Sequence, residues 1–89
     1  MRLGKLEKYD KGEYLYYINN KQYQIENNGY YSKWQRDMWI ITYVYVEIDS
    51  TGKAIQVRTY PEFTNISDTM KGCIMNIDKY ELSRLEVLS

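Results

Sequence analysis

Any chemistry in this chain must come from tyrosine, tryptophan, arginine, carboxylates or a single thiol, because histidine is absent. Without an imidazole the commonest general base and metal ligand is missing, and with it a Ser–His or Cys–His nucleophile. Cys73 is the one cysteine. It has no activating neighbour in sequence and reads as a small buried hydrophobe. Met70, Cys73 and Met75 together are soft sulfur ligands of the kind that suit Cu(I), but methionine in an apolar segment ordinarily fills core. Asp37, Glu47 and Asp49 are the nearest candidates for an acid–base pair; their spacing marks nothing specific, and solvated surface is the simpler reading. Gly4, Gly12, Gly29, Gly52 and Gly72 stand alone, as turn glycines do, so no phosphate-cradling loop is present. The expectation is a protein that is not an enzyme and has no cofactor, no metal site and no catalytic residue.

What remains is aromatic: eleven tyrosines and two tryptophans against one phenylalanine. Tyr, Trp and Arg are the types enriched at binding hot spots. The set singled out is Trp34, Trp39, Tyr43, Tyr45, Arg58 and Tyr60, expected on one face of a sheet. A domain this small can bury one sheet face but struggles to bury both, and exposed aromatic surface generally means a partner. The competing expectation is that the N-terminal or C-terminal segment folds over that face.

The elements that would position these residues are mostly strands. "EYLYYINNKQYQIE", Glu13 to Glu26, alternates apolar and polar residues around Asn19-Asn20, and asparagine tolerates the positive φ of a two-residue hairpin turn. Tyr16 should face Tyr23 and Tyr14 should face Ile25, with the glutamines opposite. Asn27-Asn28-Gly29 reads as a break. From Tyr30 to Ile41, helix spacing competes with a strand reading in which Arg36-Asp37 turns and Trp34 opposes Trp39; aromatic and β-branched content favours strand. A loop at Asp49-Ser50-Thr51-Gly52 should close a further hairpin that pairs Val46 with Ile55, Val44 with Val57 and Thr42 with Thr59. Those residues, with Ile40 and Ile48, would form the core face, leaving Tyr43 to stack on Arg58 on the other.

At the ends the pattern is weaker. Met1 to Lys11 fits a helical turn or an edge strand equally. Cys73 to Ile77 reads as a short strand and "RLEVL" as a last one, with a helical turn around Ser67 to Lys71. The alternative is a short helix lined by Leu82, Leu85 and Leu88, with Asp78 and Glu81 at cap spacing. The fold expected is mainly β with minor α: one domain spanning residues 1–89, a small bent antiparallel sheet or SH3/OB-like partly closed barrel of five to six strands with one or two short helical turns.

Composition narrows the partners. Twelve basic and twelve acidic side chains cancel, whereas proteins that bind by neutralising phosphates show a basic excess. No apolar run approaches membrane-spanning length, the stretch "MRLGKLEKYDKGEY" lacks the uninterrupted apolar segment of a signal peptide, and paired cysteines are absent, so the cytoplasm is expected. The abundance of Asn, Lys, Ile and Tyr is the bias of AT-rich genomes. The leading expectation is a non-catalytic protein-binding module, an inhibitor of a host protein or defence system carried by a phage or mobile element, with a protein partner or self-association as a homodimer. Single-stranded nucleic-acid binding by a small barrel and capture of a nucleotide or other small molecule between aromatic walls are the alternatives.

Overall fold

The structure is a computed structural model and describes residues 3–88. Six strands, β1 (Lys5–Asp10), β2 (Glu13–Ile18), β3 (Lys21–Tyr31), β4 (Arg36–Ile48), β5 (Ala54–Thr59) and β6 (Ile66–Ser67), precede a C-terminal helix, α1 (Met70–Leu88). Strands β1 to β5 lie side by side in chain order, all antiparallel, and β6 joins β4 next to β5. The mainly β expectation holds, with the strands forming one open sheet. The barrel alternative does not, since β1 and β5 are the two outer strands of an unclosed sheet. The edge-strand reading of the first segment is the one realised.

The β2–β3 hairpin follows its sequence. Asn19 and Asn20 take φ of 52° and 62°, the left-handed pair that matches the twist of flanking strands. Tyr16 pairs with Tyr23 and Tyr14 with Ile25, as expected. Beyond it, Asn27 to Gly29 is a bulge rather than a break. Gly29 adopts φ 89° and donates its N–H to Asn27 Oδ1 at 2.7 Å, so β3 continues to Tyr31. The turn therefore falls at Ser32–Gln35, closed by Trp34 N–H to Tyr31 O and Gln35 N–H to Ser32 O. Arg36 and Asp37 lie in strand, and Trp39 opposes Asn27, not Trp34.

The β4–β5 register corrects the expected one by a single residue. Asp49 accepts from Thr51 N (2.9 Å), Thr51 Oγ1 (2.6 Å) and Lys53 N (2.9 Å), and its own N–H donates to Lys53 O at 2.9 Å. Lys53 thus belongs to the turn. Val46 faces Gln56 and Val44 faces Arg58, while Tyr43 faces Thr59. A one-residue slip sends every β5 side chain to the other face. The face of β4 that packs against the helix is the other one: Ile41 and Tyr43 pair with Ile25 and Tyr23, and Ile41 is fully buried, whereas of the expected face Val44 is buried (5% exposed) but Val46 and Ile48 are 65% and 67% exposed.

The core lies between the sheet and α1, formed by Tyr16, Ile18, Tyr23, Ile25 and Ile41 from strands and by Cys73, Ile74 and Ile77 from the helix. The two strands expected after residue 72 are replaced by this helix. Thr69 caps it, accepting from Gly72 N at 2.9 Å through Oγ1 while its carbonyl accepts from Cys73 N. Cys73, Ile74, Ile77 and Glu81 recur at helical spacing on the sheet side, whereas Met75, Leu82 and Leu85 are exposed. The side chains of Val87 and Leu88 lie outside the described residues. The radius of gyration is 14.3 Å, against about 12 Å for a compact chain of this length.

Candidate functional site

The six aromatic and arginine residues singled out in sequence divide among four places. Trp34 sits in the β3–β4 turn with its ring edge-on to Tyr31, centroids 5.1 Å apart. Trp39 packs at the border of the core, 6.2 Å from Tyr14. Arg58 pairs with Val44 on the sheet face away from the helix, so it does not stack on Tyr43. Tyr43, Tyr45 and Tyr60 come together at one corner of the helix-covered side. The C-terminal segment covers that side, but incompletely.

The corner is a cleft of about 400 Å³. Tyr43 lies against buried Tyr23 at 5.3 Å, and Tyr45 stacks on Tyr43 at 5.6 Å with 23° between the ring planes. Side chains two apart on a strand share a face, which is how consecutive odd positions of β4 build this stack. Tyr60, 67% exposed, forms another wall just past β5, where Pro61 restricts its backbone to extended conformations. Tyr80 and Arg84, one helical turn apart on α1, close the side opposite the sheet, with the Arg84 guanidinium 5.8 Å from the Tyr80 ring centre. Sequence reasoning missed Lys21, Tyr80 and Arg84. The signal was the i, i+4 Tyr–Arg pair, legible only once the segment is known to be helical.

Beneath the cleft, Glu81 is 1% exposed and fully engaged. It accepts from Tyr23 OH (2.6 Å), Asn19 Nδ2 (3.2 Å) and Lys21 Nζ (3.2 Å). Burial alone would raise its pKa, but these hydrogen bonds and the Lys21 charge outweigh that and hold it below the ordinary carboxylate value. A second tie joins Tyr16 OH to Asp78 Oδ1 at 2.5 Å, with Gly4 N–H donating to the same hydroxyl at 2.8 Å. Both carboxylates seat the helix. Neither stands free to act as a base.

The other acids considered in sequence do not meet. Asp37 accepts from Asn27, Glu47 accepts from Tyr45 OH, and Asp49 is occupied by its own turn, whose hydrogen bonds lower its pKa. The sulfur trio does not converge either: Cys73 is buried and Met75 points outward, 65% exposed. On the open sheet face Gln24 is buried, giving its amide N–H to the Tyr9 hydroxyl, and among the described residues its Oε1 has no hydrogen-bond partner.

The other exposed feature is the far half of the β4–β5 hairpin. β3 pairs with β4 only as far as Val44, so among the described residues Tyr45 to Ile48 have β5 on one side and no strand on the other. This two-stranded ribbon carries Val46, Ile48 and Ile55, exposed at 65%, 67% and 40%. Among the described residues, the outer edge of β5 is unpaired. Because Asp49 and Lys53 form a hydrogen-bonded pair, the antiparallel alternation aims the N–H and C=O of Ala54, Gln56 and Arg58 outward. No helix among the described residues is long and apolar enough to cross a membrane. No family model, no curated protein and no solved structure matches the chain.

Proposed function

We propose that this chain is a non-catalytic protein-binding module that receives an extended strand of its partner along the outer edge of β5. The observation that carries the reading is a contrast between the two edges of one sheet. β1 is blunted by Lys5, Glu7, Lys8 and Asp10 and by a bulge between Lys8 and Asp10, the devices that keep an edge from pairing. β5, "AIQVRT", has no proline, no bulge and one charged residue, Arg58. Main-chain hydrogen bonds would supply affinity there, and the exposed Val46, Ile48 and Ile55 would supply apolar contact beside it. The protein-binding surface is thus moved from the six-residue aromatic set to the ribbon, with Arg58 the one member of that set lying on β5.

A short module that captures an extended strand of another protein is a form that an inhibitor carried by a phage or mobile element could take, and the abundance of Asn, Lys, Ile and Tyr, the bias of AT-rich genomes, supports that setting. The test is Gln56→Pro, which removes an outward N–H without touching the β4–β5 ladder. Wild type and variant would be used to capture partners from nuclease-treated bacterial lysate, and binding of the purified captured protein would then be measured directly. A partner held by the wild type and released by a Gln56→Pro variant with unchanged melting supports the reading. Equal retention by both overturns it. Sedimentation of the isolated protein as a dimer that Gln56→Pro dissociates would make the partner a second copy of the chain.

A further inference from the structure

We propose that the tyrosine cleft between β4, the residue after β5 and α1 is a binding site for a nucleobase carrying a phosphate. This inference is independent of the β5 edge and rests on the cleft alone. The Tyr43–Tyr45 pair lines it as two rings stacked within 23° of parallel, and a nucleobase, whose π face stacks on tyrosine, would extend that stack. Tyr60 lines the same cleft, most of its surface open to solvent. A tyrosine whose only task was to cover core would be buried; this one is 67% exposed, with its backbone held extended by Pro61. The volume, about 400 Å³, is that of a small-molecule site.

Charge selects the kind of planar ligand. The charged residues lining the cleft are Lys21, Glu62 and Arg84, with Glu81 bound to Lys21. Glu81 is neutralised within the protein by Lys21 and two neutral donors. Among the described residues Arg84 forms no ion pair, and its one hydrogen bond is to Tyr80 OH at 3.5 Å. A guanidinium that lies along an aromatic wall and, among the described residues, is paired with neither Glu62 nor any other carboxylate is suited to a phosphate, which it can engage with two parallel N–H donors. An ammonium ligand would find tyrosine faces too, but it would sit against Arg84 and Lys21. A neutral aromatic ligand would leave Arg84 unused.

The experiment is an amide-resolved NMR titration of the full chain with adenosine monophosphate, adenosine, inorganic phosphate and a short oligodeoxyadenylate. Saturable shifts at Tyr43, Tyr45, Tyr60 and Arg84, with a dissociation constant of about 1 mM or tighter for the monophosphate, are expected. Arg84→Gln, an exposed position, should weaken the monophosphate roughly tenfold and leave adenosine unchanged. Tyr45→Leu should weaken both by a similar factor. An oligonucleotide that binds more tightly than the monophosphate identifies the source as a strand, and equal affinity identifies a free nucleotide; either keeps the site. The proposal is overturned by no saturable shift up to about 10 mM monophosphate, by shifts confined to other surfaces, by an Arg84→Gln variant that binds as well as wild type, or by phosphate alone producing the same shifts.

Discussion

Glu81 is the residue on which the seating of the helix turns. Its carboxylate is buried and charged, and it is compensated by three donors from the β2–β3 hairpin. Because its folded pKa lies below the ordinary 4.5, its contribution is complete above that value and is lost as pH falls through the folded one. Melting temperature followed from about pH 6 to about pH 3 should fall more steeply for wild type than for Glu81→Gln. At neutral pH the same variant should cost about 1–3 kcal/mol, because Tyr23 and Lys21 lose their charged acceptor. Tyrosines give the opposite sign. Burial, then the hydrogen bond to Asp78, pushes Tyr16 up to about 12, and burial with the Glu81 hydrogen bond raises Tyr23 further. Their contribution is complete below the ordinary value of 10 and is lost as pH rises above it. Spectrophotometric titration of the phenols should show a fraction ionising only as the protein unfolds. Tyr16→Phe should remove part of that delayed fraction and destabilise the fold by about 1–2 kcal/mol.

At the scale of elements, the parts visible in sequence were those whose cause is local. Asn19-Asn20 carries its own turn geometry, so the β2–β3 register could be read from residues 13–26 alone. The β4–β5 register could not, because it depends on the Asp49 side chain drawing Lys53 into the turn, and one residue there decides which face is core. The helix was concealed by two carboxylates. Asp78 and Glu81 look like solvent-facing residues, yet they point at the sheet and are satisfied by Tyr16 and Tyr23, more than fifty positions away in the chain. With Met75, Leu82 and Leu85 exposed, the apolar stripe is blurred from both sides. The cleft inherited the same obscurity: its strand half, Tyr43 and Tyr45, was found, and its helical half was not. The helix makes its own prediction. Thr69→Ala removes the acceptor of the Gly72 N–H and should cost about 1 kcal/mol in thermal or denaturant unfolding. Cys73 lies under the same first turn, fully buried, with burial pushing its thiol up to about 12. A thiol reagent should therefore modify it only as fast as the protein opens, and faster in Thr69→Ala.

For the molecule as a whole, the two edges of the sheet set how copies meet one another and other proteins. β1 is defended by alternating charge and a bulge, while β5 and the overhanging half of β4 are not. The formal net charge is zero at pH 7 and the composition places the isoelectric point at about 6.2, so near that pH no long-range repulsion keeps open edges apart. Solubility should accordingly reach its minimum near the isoelectric point. A pair of substitutions separates this effect from folding. Val46 and Ile48 are about two-thirds exposed on the face away from the helix, so Val46→Lys with Ile48→Lys should change unfolding free energy by no more than about 0.5 kcal/mol per site. The same variant moves the net charge to plus two and places lysines beside the unpaired edge of β4. Light scattering across pH should then show less association at every pH below neutral, with the minimum displaced upward. Gln56→Pro, which leaves the charge alone, should reduce association at the unshifted minimum, because it removes an outward main-chain donor. If the lysine pair acts and the proline does not, the stickiness belongs to the apolar face of the ribbon; if both act, it belongs to the strand edge that the proposed partner would occupy.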